Sequence, residues 1–263
     1  ASGVFNFAQG VFALFAALTL VGFQTGQVPF SHLINELFGT KFHHWYPEIH
    51  SFLAIILTII TMILLAWIIE RLVLKHLVNQ EPIILFMATI GLAFVLEGIG
   101  DLMWGSDVKV LDVGIPSGGS EWLENATIGL AEEGSEYYGM YIDVLNVWAT
   151  VIAVILVTAL ALFSQYTKTG RALRAVADDH QAALSVGISL RTIWVFVWAM
   201  SGFIAMVAGI MWGTESGVQF SLSLIALKAL PVLILGGFTS IPGAIIGGLL
   251  IGVGEKLAEI YIG

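Results

Sequence analysis

Hydrophobic residues along this chain come in long blocks, not in alternation or in narrow stripes. The first block covers about residues 8–23 (AQGVFALFAALTLVGF) and the second 51–69 (SFLAIILTIITMILLAWII). A third opens at Pro82 and runs to Trp104, a fourth covers 144–164 and a fifth 192–213. The sixth covers about 222–238 and the seventh 241 to about 262. Proline is tolerated in a first helical turn, where its missing N–H has no partner in any case. Blocks of this length match the ~20 apolar residues that carry a helix across ~30 Å of hydrocarbon. A membrane β-barrel shows ~10-residue alternating segments instead, and this chain has none. The pattern predicts an all-α, polytopic helical membrane protein with about seven spans. "GGFTSIPGA" predicts a tight break between the last two, because glycine and proline stop helices.

Composition agrees with the blocks. The 263 residues are 58% hydrophobic and 11% charged, against about 25% charged in a soluble domain. Cysteine is absent, which excludes disulfides, thiolate catalysis and cysteine-ligated metals. The net charge of -9 points to no nucleic-acid partner. The position of the cations is more informative, because Lys and Arg concentrate in cytoplasmic loops. The segments after the second and fourth blocks hold Arg71, Lys75, Lys168, Arg171, Arg174 and Arg191, whereas the opposite loops hold Lys41 and Lys109. The polar insert over 168–190 is therefore expected in the cytoplasm. The loop 105–143, with Asp107, Asp112, Glu121, Glu124, Glu132, Glu133, Glu136 and Asp143, is expected outside. The chain begins at Ala1 and reads as a piece of a longer polypeptide, lacking a span at each end.

Small residues recur at four-residue spacing: Ala205, Gly209 and Gly213; Gly243 and Gly247; Ala244, Gly248 and Gly252. Such faces let helix backbones approach closely in lipid, so these positions are read as helix packing. Ionisable residues inside spans are functional candidates by default. Glu97 and Asp101 share one face of the third block, as an interfacial pair, a proton relay or a contact to a substrate ammonium. Lys228 lies near the start of the sixth, either snorkelling or lining a path. Glu255 and Lys256 near the end of the last block read as interfacial. Asn6, Gln9 and Thr89 are uncharged polar groups that either line a path or bond between helices. His43, His44 and Glu48 lack the spacing of a zinc site, so no metal is expected. "GTESG" at 213–217 is not a nucleophile elbow, and no catalytic set is seen.

The insert "RALRAVADDHQAALSVGIS" at 171–189 is polar and helix-prone. On pattern alone it is either a solvated connector or a docking helix for a soluble partner. Its residues carry a specific resemblance. Gly170, Arg171, Ala172, Arg174 and Ala175, then Ala182, Ala183, Gly187 and Ile188, resemble the cytoplasmic loop of permeases of branched-chain amino acid ABC importers. Further elements match Lys228-Ala229, Leu235-Gly236-Gly237, Ser240-Ile241-Pro242-Gly243-Ala244 and Gly247-Gly248, and "NFAQG" at 6–10 matches near the start. The Ile-Pro-Gly-Ala form resembles the first of that family's two paired permeases.

The resemblance implies a single permease domain over 1–263, in the cytoplasmic (inner) membrane of a bacterium or archaeon. It implies an importer of amino acids, branched-chain or hydrophobic first and urea or short amides next. It also implies a coupling helix seated on cytoplasmic ATPase subunits, a second permease and an external (periplasmic) solute-binding protein. These 263 residues hold no G-x-x-x-x-G-K-[ST] motif, so ATP and Mg would belong to the partner ATPase and this chain would carry no cofactor and do no chemistry. The implied coupling residues are Arg171, Arg174, Asp178, Asp179, Gln181, Ala182, Ala183 and Gly187. Arg171 and Arg174, on one helical face, suit ATPase carboxylates or membrane lipid phosphate equally, and Asp178 and Asp179 are assigned to neither. The contrasting reading is an ion-coupled secondary transporter with Glu97 and Asp101 as its coupling site. Bulky replacements of Gly187 and Ala183 are expected to uncouple the importer without unfolding the spans.

Overall fold

A helix that is apolar on every side is stable only when it is surrounded, and the first block is such a helix. The computed structural model describes residues 6–27, 29–39, 49–77, 80–116, 118–119, 143–237 and 240–262. All seven apolar blocks are helical: α1 (Gln9–Thr25), α3 (Ser51–Leu72), α4 (Pro82–Trp104), α5 (Val144–Tyr166), α8 (Leu190–Ser216), α9 (Ile225–Gly236) and α10 (Ile241–Tyr261). A short α2 (Ser31–Phe38) and a polar pair, α6 (Lys168–Asp178) and α7 (His180–Ser185), complete the helices named here. Among the described residues, α3, α4, α5, α8 and α10 are long and apolar enough to cross a membrane. Gln9–Thr25 and the run Phe220–Gly236 are shorter apolar helices. The chain is a helical, polytopic membrane protein, with two of its seven apolar helices short of a full span.

Helix α1 stands at the centre, and Phe12, Leu14, Leu18 and Leu20 on it are fully buried. It packs on α8, α3, α4 and the 3₁₀ turn Phe220–Leu224. Gln9 meets Ser201, a methyl group on Gly209 would overlap the Ala13 carbonyl, Gly100 faces Leu18 and Gly22 faces Trp104. These pairings make α1 parallel to both α8 and α4. They also set its depth: its first residue lies beside Ser201, eleven residues and about 17 Å into α8. Two aromatic contacts brace the centre, Phe12 on Trp198 and Phe15 on Trp104.

The last two helices form a hairpin whose two chains meet backbone to backbone. A methyl on Gly236 would overlap Gly243, and one on Gly243 would overlap the Gly236 carbonyl; Gly247 lies against the Val232 carbonyl. Gly209, Gly243 and Gly247 thus lie against backbone, whereas Gly213 lies against the Leu111 and Val218 side chains. The second small-residue row divides. Gly248 reaches only the Val232 side chain at 3.7 Å, and Gly252 faces nothing among the described residues. That row has turned away from α9, and around it α10 presents Ile245, Ile246, Leu249, Leu250 and Val253 outward.

Replacing Gly209 by alanine forces α8 off α1 and should destabilise the bundle by ~1–3 kcal/mol, the usual cost of overpacking. The same change at Gly252 should stay within ~0.5 kcal/mol. Thermal unfolding of the detergent-solubilised variants, followed by tryptophan fluorescence, checks the contrast.

Candidate functional site

The insert is two helices, not one continuous helix. After α5 the chain caps itself with Thr167, whose hydroxyl accepts a hydrogen bond from the Gly170 amide at 2.9 Å. Gly170 lies so close to the Phe163 carbonyl and Ser164 that a side chain there would strike backbone, which lets α6 fold straight back on α5. Helix α6 buries Val176 and half-buries Ala172 and Leu173, while Arg171, Arg174 and Asp178 are exposed on its other side. At Asp179 the backbone becomes extended and α6 ends. The Asp179 carboxylate then accepts hydrogen bonds from the Gln181 and Ala182 amides at 2.8 and 3.0 Å, starting α7. Short polar side chains favour this N-cap position for that reason.

Helix α7 ends on a glycine-based cap. Gly187 has a φ of 84°, its amide donates to the Leu184 carbonyl, and the Ile188 amide donates to the Ala183 carbonyl at 3.0 Å. This is the pattern in which glycine takes the left-handed position and the next residue packs back; Ile188 packs against the core cluster. The Ala-Ala-x-x-x-Gly-Ile element therefore has a local physical reason. Ala183 is buried, only 2% exposed, within that core. A bulky residue there would disturb the packing of α7, and one at Gly187, though it meets open space, would strain the left-handed cap. What the insert offers outward is Gln181, Ala182, Leu184, Ser185 and Val186, with Leu184 and Val186 the large apolar members. Leu184 and Val186 stand apart in sequence as bulky apolar residues in a polar stretch, which was the available signal for them.

Asn6, Gln9 and Thr89 lie around the N-terminal end of α1. Gln9 Nε2 donates to the Ser201 carbonyl at 3.0 Å, the Ser201 hydroxyl donates to Gln9 Oε1, and Asn6 Nδ2 reaches the same oxygen at 3.5 Å. The Thr89 hydroxyl accepts from the Phe7 amide at 3.4 Å and donates to the Phe86 carbonyl at 2.8 Å. These groups bond α1 and the residues before it to α8 and α4. Ser201 was missed, because a lone serine in an apolar helix carries no pattern.

Beyond α8 the backbone leaves helical geometry. Gly217 turns with a φ of 76°, Val218 pairs with Lys109 through two backbone hydrogen bonds of 3.0 and 2.7 Å, and the chain then enters the turn Phe220–Leu224 and α9. Partial burial pushes the Lys109 ammonium below its usual pKa, outweighing the opposing pull of Asp107. At this break lies a cleft of about 270 Å³, whose lining includes Trp212, Ser216, Gln219, Ser221, Leu222 and Lys228. Lys228 Nζ donates to Glu255 Oε1 at 2.9 Å and stands 5.5 Å over the Trp212 ring, a cation–π distance. Trp212 is four residues from the end of α8, so Lys228 reaches toward the C-terminal end of that helix.

Glu255 was read from sequence as interfacial, and its pairing with a lysine 27 residues away was missed. Opposite charges in adjoining apolar blocks are the sign that points to such a pair. Glu97 is half-buried and Asp101 exposed; they occupy α4, which packs on α1 and α2, whereas the hairpin bearing Lys228 and Glu255 adjoins α1 and the 3₁₀ turn. Among the described residues neither forms an ion pair. His43, His44, Glu48 and residues 120–142 of the acidic loop lie outside the described residues.

Comparison with known proteins gives one family. The model of the "Branched-chain amino acid transport system / permease component" family matches residues 1–263. The chain is 30% identical over 199 residues to the high-affinity branched-chain amino acid transport system permease protein LivH of Salmonella typhimurium, covering 74% of this chain and 61% of that one. It is 27% identical to the Escherichia coli K12 protein of the same name, over 99% of this chain and 78% of the relative. It is 29% identical to the permease protein BraD of Pseudomonas aeruginosa, over 73% and 60%. The chain thus spans about three fifths of the length of the first of these relatives. No solved structure matches.

Replacing Asp179 by alanine should cost α7 ~1 kcal/mol of cap stability. Hydrogen exchange of the α7 amides should then quicken about fivefold with the spans unchanged. By the match over its whole length, the chain belongs to the branched-chain amino acid transport system permease family.

Proposed function

We propose that this chain is the membrane-spanning permease subunit of an ATP-driven importer of branched-chain or hydrophobic amino acids. It resides in the cytoplasmic membrane of a bacterium or archaeon. Family membership supports the transport role, since its relatives are named as branched-chain amino acid permeases. ATP and Mg are held by separate ATPase subunits, a second permease completes the pathway, and an external solute-binding protein delivers the substrate. The chain moves solute and performs no chemistry of its own.

The observation that carries this reading is the construction of the insert. Two short helices are capped at both ends, pinned to the bundle by Val176, Ala183 and Ile188, and tipped with exposed Leu184 and Val186. A six-residue helix has no stability in isolation, so its geometry is fixed by the spans beneath it. Such an element transmits force in both directions: closure of ATPase subunits around the tip displaces α8, and α8 reaches the outer cleft. Arg171 and Arg174, exposed on α6, serve as cations for carboxylates on the docking partner. Alternating access follows from rocking the bundle against its second permease.

Reconstitution tests the reading. Proteoliposomes holding the full set of subunits should accumulate leucine only with ATP, and leaving out the ATPases should abolish uptake. Uptake that persists without them, or that follows an ion gradient through Glu97 and Asp101, overturns the proposal. Val186→Glu should cut ATP-driven uptake at least about tenfold, as an unpaired charge in a docking groove costs more than 1.4 kcal/mol. The unfolding temperature of the permease should stay where it was.

A further inference from the structure

We propose that the cleft at the outer end of α8 is a binding site for the α-amino acid zwitterion, with Lys228 receiving the carboxylate and Glu255 the ammonium. This rests on the functional reading above and goes beyond it by assigning the site. The argument starts from what the ion pair costs. Lys228 and Glu255 are 61% and 57% exposed on a hairpin whose other outward residues include Ile234, Leu235, Leu249, Leu250 and Val253. Charges in such surroundings face water or protein and not lipid, so this part of the hairpin is turned away from the acyl chains. The cleft opens there. It is a mostly apolar notch edged by a few polar groups, formed because the helix breaks between Ser216 and Phe220.

The lining matches the two halves of a hydrophobic amino acid. Trp212, Leu222 and Ile225 supply an apolar wall, and Gln219, Ser221 and Lys228 supply polar contacts. The volume of about 270 Å³ falls just below the ~300–1,000 Å³ of sites for drug-sized ligands, the size of a small metabolite. The Glu255 carboxylate now on Lys228 occupies the place a substrate carboxylate would take. A zwitterion inserted between the two replaces one internal ion pair by two, so neither charge is left without a partner. A plain carboxylic acid would leave Glu255 bare, and a plain amine would leave Lys228 bare. That difference provides discrimination, because stranding a charge costs far more than losing a methylene contact.

The cysteine-free sequence makes the test direct. Ser221→Cys is introduced into the permease within the complete importer in nanodiscs, and its maleimide labelling on this chain is timed. At ten times its midpoint concentration, leucine should slow labelling about tenfold by simple occupancy. Neither 4-methylpentanoate nor 3-methylbutylamine should do so at the same concentration. Adding Lys228→Gln or Glu255→Gln should remove the protection by leucine. Should Ser221→Cys fail to label, Gln219→Cys in the same lining is read in its place. Unchanged labelling with leucine, protection that survives both charge substitutions, or equal protection by the two analogues overturns the assignment and leaves the pair a structural strut. Leucine uptake by the parent importer is measured in parallel. If that uptake is present while protection is absent, only the site is wrong; if the parent imports no branched-chain amino acid, the functional reading and this site fall together.

Discussion

The closeness with which α1 is held by its neighbours sets the rest of the bundle. Lipid offers helices no hydrophobic reward for packing together, so association rests on contact area and short-range attraction. Helix α1 gains both by meeting backbone where side chains would normally intervene. Gly209 lies on the Ala13 carbonyl, and Gly10 lies so near the Ser223 carbonyl that a methyl would overlap it. Because α1 touches α8, α3, α4 and the turn before α9, these two approaches fix the places of most of the elements that carry candidate chemistry.

The depth of α1 explains the polar groups around its start. Its first turn opens well inside the bundle, where amides lacking a helical partner find no water. The Phe7 amide turns to the Thr89 hydroxyl, and Gln9 and Asn6 close a network with Ser201. A comparable need arises where the chain leaves α8. The stretch from Gly217 to Gln219 is irregular, and the bridge between Lys109 and Val218 satisfies part of its backbone. Non-helical backbone at such positions is tolerated where protein covers it or a cavity borders it, and a cleft does border it here.

One element joins the two candidate sites. Helix α8 starts where α7 and Ile188 close against the bundle and ends at the cleft, 27 residues or about 40 Å later. Leu190, Ile193, Trp194 and Trp198 bury its N-terminal half, and Ala205, Met206 and Gly209 seat its middle against α1 and α3.

Much of this was legible in the order of residues. Long apolar blocks announce helices in a bilayer, since length and composition alone decide whether a segment can cross. Thr167 and Gly187 are local signals as well, because caps depend on neighbours a few residues away. The same local logic applies to Asp179, but two good helix-forming stretches adjoin there, and only the extended backbone at that residue shows which competing hydrogen bonds prevail. The tertiary structure alone decided that Ala183 faces inward, that Gly252 faces outward while Gly243 does not, and that Lys228 meets Glu255. Each depends on the rotation of a helix about its axis or on the level at which two helices pair. A chain that is apolar all round carries almost no periodic signal to fix either, so the packing of backbones fixed both.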